Sequence, residues 1–170
     1  MGSAPMSEVS INGWPASKDE KSIKVRSFAI NDSKRHVRVS EDAAPVLLWA
    51  AWKFHTGVAN LDKDPLAVWG YKYRPALHGN GKLSDHASGT AIDLRSDKFP
   101  VGTANMTLKQ RTYVRLILQR CDGLLIWGGD YKSAASKDQM HFAIAPGKTA
   151  ADVLAWRIKR RIDPNGRPLK

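Results

Sequence analysis

A chain of 170 residues, 42% hydrophobic and 25% charged, is sized for one packed core and lacks the bias of a disordered or fibrous protein. Its single cysteine, Cys121, cannot close an internal disulfide, and no stretch approaches the roughly 20 apolar residues that span a bilayer. The formal net charge of +11 calls for a polyanionic neighbour, either nucleic acid or an anionic wall polymer. The basic residues are scattered, apart from Arg157, Lys159, Arg160 and Arg161, and no nucleic-acid-binding motif accompanies them.

In chain order, residues 1–5 read as an expression remnant ahead of a natural start at Met6, with no apolar run of signal-peptide length. Val37 and Val39, flanked by His36 and Arg38, predict a strand. Over 43–56, Val46, Leu47, Ala50, Ala51 and Phe54 recur at helical spacing, with Asp42 as the expected N-cap, Pro45 in the first turn and Gly57 as the stop. Trp49 and Trp52 lie near that stripe and read as packing residues. Residues 59–85 form a long irregular connection with an Asn80-Gly81 turn. A second helix is predicted over 107–121, with Leu108, Val114, Leu116, Ile117 and Cys121 on its apolar side, followed by a buried strand over 124–127. Cys121 reads as a small core residue. The last helix, 149–162, is expected to bury Ala151, Leu154, Ala155 and Ile158; the tail 163–170, with two prolines and a glycine, has the composition of a linker, beyond which a wall-binding domain could follow.

Chemistry concentrates in two blocks. In Ser84-Asp85-His86-Ala87-Ser88-Gly89-Thr90-Ala91-Ile92-Asp93-Leu94-Arg95, strand alternation after Gly89 puts Thr90, Ile92 and Leu94 on one face and Ala91, Asp93 and Arg95 on the other. A straight strand would send His86 and Asp93 to opposite faces, and the small-residue turn at 87–89 can correct this, because glycine tolerates backbone angles that other residues avoid. In Asp138-Gln139-Met140-His141-Phe142-Ala143-Ile144, Met140, Phe142 and Ile144 form an apolar face while His141 points away, free to meet Asp93. Two imidazoles and one carboxylate make a three-ligand zinc set that leaves a fourth position for water, as hydrolytic sites require. Asp138, three positions before a ligand, is placed to take and return the proton. His55 and His78 could be accessory ligands but read more simply as surface or capping histidines, and Trp127 and Tyr131 lead toward the second block, where they are expected to line the cleft.

Taken together, Ser84, His86, Gly89, Ala91, Asp93, Asp138 and His141 resemble the motif of the VanY-like D-alanyl-D-alanine peptidase family of zinc enzymes, Ser-x-His-x-x-Gly-x-Ala-x-Asp followed by an acidic residue three before a final His. Asn12-Gly13-Trp14-Pro15, Trp69-Gly70-Tyr71, Tyr73-Arg74 and Ile126-Trp127-Gly128-Gly129-Asp130-Tyr131 extend the likeness over roughly 11–145, closest to endolysin peptidase domains from phages of actinobacteria. The resemblance implies one zinc ion on His86, Asp93 and His141, Asp138 as general acid/base, Arg74 as an oxyanion or carboxylate anchor, and Ser84 in contact with the peptide. Two positions depart from the pattern: Asp138 stands where much of the family has Glu, and Ala143 follows His141-Phe142 where the phage group often has an acidic residue.

The expected fold is a small single-domain α+β structure of the hedgehog/DD-peptidase kind over 6–162, an antiparallel sheet carrying the zinc site on one face with helices packed on the other. The expected function is hydrolysis of an amide in peptidoglycan stem peptides or cross-links, as an L-alanyl-D-glutamate endopeptidase, with a D-alanyl-D-alanine carboxypeptidase as the alternative. A zinc-stabilised but non-catalytic wall-binding module and a nucleic-acid-binding protein are the readings from other classes. The expected partners are peptidoglycan and anionic wall polymers, with no specific nucleic acid and no membrane span, and the expected species is a monomer made in the host cytoplasm that acts on the wall.

Overall fold

Val37 and Val39 do alternate inward along a strand, and they pair it with a partner that polar turns conceal in the sequence. The computed structural model describes residues 8–170, so the proposed expression remnant at 1–5 lies outside the described residues. Strands β1 (Val25–Ala29) and β2 (His36–Ser40) form an antiparallel hairpin with Phe28 opposite Val37.

A second antiparallel sheet is built from β3 (Val68–Trp69), β4 (Ala91–Leu94), β6 (His141–Ile144) and β5 (Leu125–Trp127), in that spatial order. Its central pair is in register with Ile92 opposite Phe142 and Asp93 opposite His141. Because strand side chains alternate, Ile92, Leu94, Phe142 and Ile144 leave one face while Asp93 and His141 leave the other. Helix α1 (Ala44–Gly57) covers the apolar face, with the Phe54 ring edge-on to Phe142 at 5.9 Å. Helices α2 (Leu108–Arg120) and α3 (Ala150–Arg160) pack against α1. The result is the expected small α+β domain, with its helices on one side of the four-stranded sheet and Asp93 and His141 on the other.

Several helix-face expectations need correction. In α2, Val114, Ile117 and Cys121 are buried as expected, but Leu108 is 72% exposed and Leu116 is exposed as well. In α3 the inward residues are Val153 and Trp156, while Ala151, Leu154, Ala155 and Ile158, the last 66% exposed, face outward. The physical reason is the indole: Trp156 donates its N–H to the Arg120 carbonyl at 2.9 Å and meets Trp49 edge-on at 5.9 Å, rotating the helix by about one position, roughly 100°. Asp42 is not the N-cap of α1; Ala43 holds that position without a side-chain bond, and Asp42 pairs with Lys24 at 3.2 Å. Met140 is only partly buried. Cys121 is a sealed core residue whose thiol burial pushes well above its ordinary pKa. The tail turns back onto α1: Leu169 N–H donates to Arg161 O at 2.7 Å, and Gly166 lies so close that an added Cβ would come within 2.6 Å of Trp49 N.

Candidate metal centre and its cleft

His86 sits on a 3-10 turn, Asp85–Ser88, whose ends are dictated by the sequence. Ser84 Oγ accepts from the His86 N–H at 3.2 Å at the start, and Gly89 closes the turn in the left-handed region at φ 67°. Gly89 is required twice over, since a Cβ there would also lie 2.6 Å from Ser40 N on β2. This turn supplies the change of direction that a straight strand could not, and it brings His86 and Asp93 to one point.

A polar clasp from the N-terminal segment holds the turn. The Asn12 side chain donates to Thr90 Oγ1 at 2.8 Å and to the Ile144 carbonyl at 3.0 Å, and its backbone N–H donates to Asp85 Oδ1 at 2.9 Å. Ser10 Oγ lies 2.8 Å from Ser88 Oγ, and the Trp14 indole donates to the Lys148 carbonyl at 2.7 Å. Sequence reasoning found the Asn12–Trp14 segment only as part of a resemblance and missed Asp85 altogether. The signal available for Asp85 was its place inside the first block; its burial beside the cluster, which pushes its carboxyl up in pKa, needed the fold.

His86, Asp93 and His141 are all buried, and one ligand atom from each lies within 4.8 Å of the others. His86 Nδ1 is 2.7 Å from the Gly70 carbonyl, which can only accept, so Nδ1 carries the proton and Nε2 offers a lone pair. That Nε2 has no hydrogen-bond partner among the described residues, yet it stands 3.2 Å from Asp93 Oδ2. Two lone pairs facing each other in a buried site repel unless a cation or proton sits between them. His141 Nδ1 lies 2.9 Å from Asp93 Oδ1 on the other side. Burial alone would push the Asp93 carboxyl up, but His86 and His141 hold it well below the usual carboxylate range. Burial alone would likewise lower His141, but Asp93 raises it. Two nitrogen donors and one carboxylate around this point fit a zinc ion.

Asp138 enters the same cavity from the loop before β6. Burial pushes its carboxyl up to about 6; the Asp93 charge adds to this, while His141, His86 and Arg74 pull the other way. Its Oδ1 is buried with no hydrogen-bond partner among the described residues, although its backbone is fixed. The Asp138 N–H donates to the Gly128 carbonyl at 3.0 Å, and an added Cβ on Gly128 would sit 2.3 Å from the Asp138 carbonyl oxygen. Only glycine at 128 permits that approach.

The cleft has a volume of about 570 Å³ and is lined by Arg74, His78, Ser84, Tyr131, Asp138 and His141, among others. Arg74 makes only a long 3.4 Å contact with the Pro75 carbonyl, so its guanidinium has no carboxylate partner among the described residues. Tyr131 is half-buried with its ring 6.3 Å from that of His141; burial and the nearby carboxylates push its phenol up to about 12, keeping it a neutral donor. Trp127 needs correction, because it is 2% exposed, does not line the cleft, and donates its indole N–H to the Gln139 carbonyl at 2.8 Å. It sets the backbone between Asp138 and His141. His55 is occupied elsewhere, its Nδ1 accepting from the Leu61 N–H at 3.0 Å. Ala143 is buried opposite Ala91, so no acidic group stands behind His141 at that position.

Residues 78–144 match a family model described as D-alanyl-D-alanine carboxypeptidase, and the matched segment contains His86, Asp93, Asp138 and His141. Neither the curated proteins nor the solved structures gave a match.

Proposed function

We propose, from the premise that residues 78–144 carry the hallmark segment of this VanY-like peptidase family, that the chain is a zinc-dependent peptidase hydrolysing an amide bond in bacterial peptidoglycan. The observation that carries the reading is the convergence of one ligand atom each from buried His86, Asp93 and His141 within 4.8 Å, with His86 Nε2 lacking any hydrogen-bond partner among the described residues. A zinc ion held there supplies a Lewis acid and a water whose pKa falls to ~7.

The protein's own residues divide the remaining work. Asp138, poised near 6, accepts the proton of the attacking water and returns it to the leaving amine. Arg74, a cation in the cleft wall with no carboxylate partner among the described residues, stabilises oxyanion charge as it develops or anchors a substrate carboxylate. Tyr131 remains protonated and able to donate, and Ser84 presents the turn that carries His86. The Gly70 carbonyl fixes the His86 tautomer.

The open cleft, with apolar wall residues such as Leu77 and Val101 beside Arg74, suits an endopeptidase that receives chain on both sides of the scissile bond, of the L-alanyl-D-glutamate type. The family description favours the second reading, a D-alanyl-D-alanine carboxypeptidase. An endolysin role follows from the endopeptidase reading and the likeness to phage enzymes. The decisive experiment measures bound metal and digestion of purified sacculi before and after chelation, with mass spectrometry of the released muropeptides. Internal cleavage supports the first reading, loss of terminal alanine alone supports the second, and intact sacculi with zinc bound would leave a silent wall-binding module.

A further inference from the structure

Beyond the helix layer, on the side of the sheet away from the metal ligands, α1, α2 and α3 enclose a second cavity of about 400 Å³ that shares no residue with the catalytic cleft. Trp49, Trp52, Tyr113 and Trp156 form its walls, and Lys53 and Arg120 stand on its rim. Among the described residues no carboxylate lines it. Nearby acids are engaged elsewhere: Asp32 accepts the Trp52 indole N–H at 2.8 Å, and Asp122 is paired with Arg160 at 2.6 Å. Lys53 and Arg120 have no carboxylate partner among the described residues, and the Lys53 ammonium lies 3.8 Å from the centre of the Trp52 ring. Leu116, exposed on α2, completes the mouth.

Aromatic walls with an unpaired cationic rim and no acid are complementary to a ligand that joins an apolar ring face to an anion. We propose that this cavity is an accessory binding site for a sugar-phosphate unit of an anionic wall polymer, the pyranose resting among the indoles and the phosphate meeting Lys53 and Arg120. A single-stranded nucleic acid, the other polyanion with flat rings, needs open aromatic faces on which successive bases stack. Here Trp156 is sunk to 4% exposure and Lys53 already covers the Trp52 face, which leaves a concavity for one bulky ring. The site adds to the peptidase reading and rests on it only for the kind of polymer the enzyme meets; it gives a local purpose to a part of the +11 charge.

The test is titration of the whole protein with purified glycerol-phosphate teichoic acid bearing hexose substituents, set beside the unsubstituted polymer, inorganic polyphosphate and a single-stranded oligonucleotide. The hexose-bearing polymer should bind most tightly, and Lys53→Glu with Arg120→Glu should weaken it by about tenfold or more, the equivalent of one charge-assisted contact. Leu116→Asp, a change at an exposed position, should do the same without any risk to the core. Hydrolysis of a soluble stem peptide should stay within about twofold in all of these variants, since none touches the catalytic cleft. Equal binding of polyphosphate or oligonucleotide, or undiminished polymer binding by the variants, overturns the proposal. Polymer binding with no peptide hydrolysis would instead sink the peptidase reading and leave this one standing.

Discussion

The two blocks that meet at the candidate metal centre are held in place by different physics. Around His86 the restraint is a web of side chains: Asn12, Ser10, Ser88, Thr90 and Asp85 bond one another in the interior, and the imidazole itself is pinned through Gly70. Around Asp138 the restraint acts on the chain beside the carboxylate, with Gly128 pressed against the Asp138 carbonyl, the Trp127 indole on the Gln139 carbonyl, and the Met106 N–H on Gln139 Oε1 at 2.9 Å. The difference matches the role proposed for each group. A ligand has to present one lone pair in one direction, so its ring is bonded directly. An acid/base has to gain and lose a proton, and the Asp138 carboxylate is unbonded among the described residues while the chain beneath it is fixed.

The largest effect that sharpens this contrast should come from the shared ligand. Asp93→Ala should abolish both bound zinc and hydrolysis, as measured by metal analysis after dialysis; full zinc retention would mean that the carboxylate is not a ligand. Asp138→Asn should lower kcat by about 10²–10⁴-fold while zinc stays bound, separating the two blocks functionally. The same variant carries a stability signature. Burial raises Asp138 from 3.8 to about 6, so the folded chain keeps a proton there that the unfolded chain has already released. Stability linked to that proton is complete below the unfolded value and is lost as pH rises through about 6. Metal-free Asp138→Asn should therefore melt higher than the parent at pH 7 and no higher at pH 4.

Gly128→Ala should come next, reducing kcat by up to about 10²-fold through displacement of Asp138, with bound zinc unchanged. Loss of zinc in that variant would show that the backbone restraint extends to His141. The smallest effect on chemistry is expected from Asn12→Ala, which strips the amide from Thr90 and the Ile144 carbonyl. It should cost about 1–3 kcal/mol in denaturant unfolding, with zinc affinity falling and the kcat of the zinc-loaded enzyme retained. A fall in kcat at saturating zinc would erase the distinction between the blocks.

Much of this was legible from residue order. The period of two around Asp93 and His141 was enough to place both on the polar face of adjoining strands, and Gly89 marked where the chain turns to bring in His86. Asp138 was visible from its spacing to His141. What escaped was set by contacts far apart in the chain. The facing of α3 depends on where Trp156 finds an acceptor on α2, which local periodicity does not encode, and the exposed Leu154 and Ile158 made a false stripe. Trp127 looked like a cleft residue because it precedes the loop, but its indole is drawn inward by the Gln139 carbonyl. Strand β1 alternates poorly, so its pairing with β2 became apparent only in the fold.

Asp93 and His141 are 48 positions apart, yet they are direct cross-strand neighbours in the register of β4 and β6. Everything between them is an excursion that leaves one strand and returns to the next, and the donor set is indifferent to its length. Loops along that detour that neither line the cleft nor hold Asp138 can be lengthened or exchanged for others without disturbing the donor set, provided the return stays in step. One inserted residue just before His141 would slip the alignment and turn its imidazole toward the helices, which makes strand alignment, more than any single side chain, the quantity that selection or a designer must guard here.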